Sequence, residues 1–150
     1  MNFQKIFPFL AVIAIAGFVY WSFFGGPPPR DRSSQELAAL HSVEAIVRGE
    51  QKYRELYGEY ADRLYKLGPS LSGAPAGRGA AQLIPKDLAY GSERLGYKFS
   101  LRVYGDKYEV SANPLGKREP VRAWFYADQT GLIRESLTGQ ATPASPEVEE

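Results

Sequence analysis

From residue 33 onward the spacing of apolar positions changes rhythm once. Leu37, Leu40, Val43, Ile46, Val47, Tyr53, Leu56 and Tyr57 recur first, at the spacing of one helix face. Ser33 and Glu36 form a capping box at its start, in which each side chain satisfies a backbone N–H of the other. Gly58 suits a left-handed helix end. The stripe breaks between Gly49 and Lys52. Glu44, Arg48, Lys52 and Glu55 mark the opposite face; a pair such as Glu44–Arg48 adds only a few tenths of a kcal/mol. Leu64 and Leu67 predict a short helical turn that closes one end of the core.

The rhythm then shortens to two. Tyr97, Phe99, Leu101 and Val103 alternate with Lys98, Ser100 and Arg102, the pattern of a strand with one buried face. Gly105-Asp106 predicts a two-residue hairpin turn. Pairing Tyr104 with Lys107 fixes the register: Val103 faces Tyr108, Leu101 faces Val110, and Phe99 faces Ala112. It also sets Arg102 against Glu109 on the other face, a favourable cross-strand pair. A second hairpin follows in "VRAWFYA", "DQTG" and "LIRES". Asp128 suits the first position of its turn and Gly131 the left-handed one.

A one-faced antiparallel sheet needs a cover, and the long amphipathic helix supplies it. The predicted helix–sheet seam is Leu40, Val43, Val47, Tyr53 and Tyr57 on the helix, with Phe99, Leu101, Val110 and Phe125 on the sheet. On this reading the tyrosines are packing residues whose hydroxyls reach the rim. In the second hairpin, Val121, Ala123, Phe125 and Ala127 face the helix. Trp124 and Tyr126 then point outward beside Tyr104 and Arg102. Aromatics with arginine are favoured at protein interfaces, so these four form a candidate partner face. Two outcomes stay open for it: an open docking surface, or a surface covered by the Gly/Pro/Ala loop of residues 69–85 or by the C-terminal tail.

Residues 6–24 carry no charge. About 19 helical residues at roughly 1.5 Å each span close to the hydrocarbon core of a bilayer. The predicted anchor residues are Phe7, Phe9, Leu10, Val12, Ile13, Ile15, Phe18, Val19, Tyr20, Trp21, Phe23 and Phe24. A cleaved signal peptide is the rival reading, because Ala14-Ile15-Ala16 follows a small basic start at Lys5. The apolar run continues past that point and favours an uncleaved anchor. Lys5 on one side and Arg30 with Arg32 on the other leave orientation undecided by charge. Pro27, Pro28 and Pro29 then break any helix and make a spacer.

Composition removes several chemistries. The chain has 18 basic and 17 acidic residues, interspersed, so no basic face for nucleic acid stands out. Without cysteine there is no disulfide and no thiolate. The single histidine, His41, has Glu44 near it but no nucleophile or second base at readable spacing. Gly73 to Gly79 is not a phosphate loop, since no Gly-Lys-Ser/Thr follows. Asp128 and Thr130 are too few oxygens for calcium. No catalytic residue, cofactor or metal site is predicted, no small-molecule substrate is evident, and the reading is of a non-enzyme.

Three stretches carry a resemblance: "YRELYGEYADRLYKLG", "LIPKDLAYGSERLGYKFSL" and "YEVSANP…RAWFYADQTGLIRES". Their order, after a hydrophobic segment and an amphipathic helix, resembles the type IV pilin and pseudopilin superfamily over roughly residues 37–135. The resemblance implies an α+β fold: an N-terminal transmembrane helix, then one amphipathic helix packed on a small antiparallel β-sheet. The apolar run, the proline spacer and the Pro/Glu-rich C-terminal end, together with this resemblance, divide the chain into a short N-terminal tail (1–5), the transmembrane helix (6–24), a Gly/Pro linker (25–34), a pilin-like domain (35–138) and a disordered acidic tail (139–150). Pilins place a glutamate in the apolar helix; residues 6–24 have none. The implied function is a membrane-anchored structural or assembly component of an envelope pilus or secretion system. The alternative is a single-pass accessory subunit docked onto a larger membrane complex. Either way the expected partners are the lipid bilayer and other membrane or envelope proteins. The expected location is the inner membrane, with the C-terminal domain extracytoplasmic.

Overall fold

The computed structural model describes residues 31–116 and 122–148. Helix α1, Ser34–Tyr57, begins at the capping box: Glu36 N–H donates to Ser33 Oγ (3.2 Å) and Ser33 N–H donates to Glu36 Oε2 (2.9 Å). It ends at Gly58, whose φ of 79° lets its N–H reach Arg54 O at 2.8 Å. Two short helices follow, α2 (Leu64–Leu67) and α3 (Lys86–Tyr90). Five strands complete the domain: β1 (Glu93–Arg94), β2 (Tyr97–Tyr104), β3 (Lys107–Pro114), β4 (Trp124–Asp128) and β5 (Ile133–Ser136). They pair in chain order and every pair is antiparallel.

The β2–β3 register is the one the alternation predicts, from Tyr104 opposite Lys107 to Phe99 opposite Ala112, with Arg102 opposite Glu109. The β4–β5 turn also forms as expected. Gly131 N–H donates to Asp128 O (3.0 Å), and Asp128 Oδ1 accepts from Thr130 N–H (2.9 Å) and Thr130 Oγ1 (2.6 Å).

Helix α1 lies on β3, β4 and α2. Its buried face differs from the apolar stripe. Leu37 and Leu56 are exposed, whereas Glu36, Gly49 and Glu50 are buried. The break at Gly49 is a place of close approach. A Cβ there would lie 3.1 Å from Ile84 Cγ2 and 3.5 Å from Leu67 Cδ1, so the missing side chain lets α2 and Ile84, just before α3, sit against the helix.

Two expectations are corrected. The fold class was expected to include a transmembrane helix ahead of the α+β domain. No helix among the described residues is long and apolar enough to cross a membrane. The architecture is therefore α+β with one long helix and a five-stranded antiparallel sheet; residues 6–24, on which the span was placed, lie outside the described residues. The C-terminal segment was expected to be a disordered tail, yet residues 140–148 pack on the sheet. Glu135 N–H donates to Pro146 O and Val148 N–H to Ile133 O, both at 2.9 Å, and Ala141 is buried. Proline and small residues are poor structure formers locally, but the unpaired edge of β5 offers them backbone partners.

Candidate partner-docking surface

The residues of the expected seam occupy one core. Leu40, Val43, Val47, Tyr53, Phe99, Val110 and Phe125 are buried in it, with Tyr57 and Leu101 partly buried against it. The tyrosine row, Tyr53, Tyr57, Tyr60 and Tyr65, also holds the long loop. Tyr53 donates to Arg78 O at 2.6 Å. Arg78 in turn lies over the Tyr57 ring, 5.5 Å from its centre, and pairs with Glu59 at 2.6 Å. Tyr60 accepts from Arg54 at 2.7 Å and meets Tyr108 edge-on with ring centres 4.7 Å apart. Tyr65 alone of the row is left exposed.

The structure splits the four-residue partner face. Tyr104 and Arg102 are exposed, Trp124 is half-buried, and Tyr126 is buried. The reason is the C-terminal segment. Gln140, Ala141, Thr142 and Pro143 roof a polar cavity of about 320 Å³ floored by Ser100, Arg102, Glu109, Ser111, Asn113 and Tyr126. Under that roof Tyr126 donates to Glu109 Oε1 at 3.2 Å, with Asp128 Oδ2 3.5 Å away. Burial, reinforced by these two carboxylates, pushes the Tyr126 phenol far above its ordinary range. Tyr126 is thus an internal anchor, and of the four only Tyr104 and Arg102 are exposed. Val121 and the twelve predicted anchor residues lie outside the described residues.

The free surface lies instead along β2. Strand β1 covers only its first residues, pairing Glu93 with Lys98 and Arg94 with Tyr97. Phe99 N–H still reaches Ser92 O at 2.7 Å. Backbone groups alternate in direction along a strand. Leu101 and Val103 therefore aim their N–H and C=O groups the same way as Phe99, beyond the end of β1. Among the described residues these four groups meet no backbone or side-chain partner. Beside them runs an apolar cleft of about 280 Å³, lined by Leu64, Tyr65, Ala89, Tyr90, Phe99 and Leu101 among others. Tyr90 is held at its rim by a hydrogen bond to Pro69 O at 2.8 Å.

The residues of α2 and α3 in this cleft were not singled out from the sequence as a surface. The signal was present: β2 has eight residues, and only two precede the Leu95-Gly96 turn as its partner. His41 is exposed on α1, and no group of three or more His, Asp or Glu is placed to hold a metal among the described residues. No family model, curated protein or solved structure matches the chain.

Proposed function

We propose that this chain is a pilin-like structural or assembly component of the bacterial envelope, whose head works by docking other proteins. One observation carries the reading. Helix α1 packs on β3 and β4 on one face of the sheet and residues 140–143 partly roof the other, yet the β2 edge stands open beside an apolar cleft. Natural proteins usually cover or charge such edges because they recruit strands. The element order supports the pilin-like part: a helix ending in tyrosines and glycine, a loop, then an antiparallel meander. The second reading, an accessory subunit of a larger complex, draws on the sequence Pro27-Pro28-Pro29, which disfavours a helix continuing through it.

Cross-linking of the tagged full chain in envelope preparations, followed by purification, tests this. Recovery with pilus or secretion components is the expected result. Recovery with a stable membrane enzyme complex supports the second reading, and a chain recovered alone overturns both.

A further inference from the structure

We infer that the open β2 edge binds an extended, acidic segment of a partner protein, added as an outer antiparallel strand along Leu101–Val103. The inference rests on the reading of the chain as a docking module and names what docks.

The backbone defines the partner first. Leu101 and Val103 present two donors and two acceptors in strand spacing, with no partners among the described residues. Only another extended backbone matches such a row along its whole length. Side chains of the incoming strand alternate between faces. On the inner face they meet the cleft of Leu64, Tyr65, Tyr90 and Leu101, which takes an apolar residue. On the outer face they meet Arg102, and Arg63 stands at the cleft mouth. Neither arginine forms an ion pair among the described residues. Glu109, opposite Arg102, accepts instead from Tyr126. The incoming strand is therefore apolar toward the cleft and acidic on the face that meets Arg102.

The same charges argue against a second copy of this chain. The symmetric pairing that satisfies all four groups sets Leu101 against Val103 of the other copy. That register places Arg102 directly opposite Arg102, and like charges so placed are destabilising. Val103 also admits a clean test. Its N–H points away from β3, so proline there removes an edge donor without removing a β2–β3 ladder bond.

The probe is a heptapeptide alternating Val and Glu, with a Val/Lys heptapeptide as control, titrated into the full chain. Binding of the Val/Glu peptide should slow amide exchange at Leu101 and Val103 on the order of tenfold or more. Val103→Pro and Tyr65→Ser should each weaken binding by about tenfold, with thermal unfolding still cooperative. Arg63→Glu with Arg102→Glu should transfer the preference to the Val/Lys peptide. Equal binding of both peptides to the unaltered chain overturns the acidic assignment. Binding undiminished by Val103→Pro, or absent at millimolar peptide, overturns the edge site. Concentration-dependent dimerisation lost in Val103→Pro assigns the edge to a second copy instead. If Val103→Pro still co-purifies with the envelope partners, the edge inference fails while the docking function stands.

Discussion

The two ends of α1 each bury a glutamate, and they treat it in opposite ways. Glu36 and Glu50 are 2% and 0% exposed. Glu36 accepts from Ser33 N–H at 2.9 Å and from Ala123 N–H at 2.8 Å, so one carboxylate closes the helix start and fixes the entry to β4. It also sits in the first turn, where the helix dipole favours an anion. Glu50 accepts from Ala61 N–H at 2.9 Å through one oxygen, and its other oxygen has no partner among the described residues. The Tyr108 hydroxyl, buried nearby, has none either. Burial, with Asp62 adding to it against the Ala61 bond, pushes the Glu50 carboxyl up from 4.5 to about 8. Depth alone does not decide the fate of a buried acid; the number of donors aimed at it does.

The contrast is broken most severely at the helix start. Glu36→Ala leaves the N–H groups of Ser33 and Ala123 without their acceptor, and should cost about 3 kcal/mol or more. Urea unfolding measures it. A variant as stable as the parent would mean that the carboxylate does not join helix to sheet.

Next in size is the pH response at the other end. Glu50 binds its proton more tightly folded than unfolded, since its folded value of about 8 exceeds 4.5. Its contribution to stability is therefore full below pH 4.5 and is lost as pH rises toward 8. The loss by pH 7 is roughly 3 kcal/mol. Glu50→Gln should flatten the profile between pH 5 and 8 and raise stability at pH 7 by roughly 2 kcal/mol. A parent whose stability is level across that range would contradict the assignment.

The smallest expected effect sharpens the same picture. Tyr108→Phe removes a buried hydroxyl that has no partner among the described residues and keeps the ring against Tyr60. It should be neutral or stabilising by up to about 1 kcal/mol. A clear loss of stability would show that the hydroxyl is satisfied after all.

What was legible in the sequence follows from the range of each signal. The β2–β3 register could be read because alternation, turn residues and the Arg102–Glu109 pair all point to one pairing. The caps of α1 were equally local. The burial of Glu36 and Glu50 was not legible, because a charged helix position reads as solvent-facing unless its distant partners, Ala123 and Ala61, are known. Gly49 beside Glu50 was the available clue, as a break in the stripe. Residues 140–148 were illegible for a similar reason: their order comes from β5 and not from their own composition. The split of the partner face follows from that segment, since its roof is what buries Tyr126.

The pairing of residues 146–148 with β5 has a consequence for valence. A sheet with two free edges can propagate, each new strand presenting another edge to the next molecule. This sheet has one edge already occupied by its own chain. A strand added at β2 therefore finds no second acceptor across the domain, and assembly through this sheet stops at a single partner. Removing residues 140–150 would convert a terminator into a link, which size-exclusion chromatography would register as species larger than a one-to-one complex.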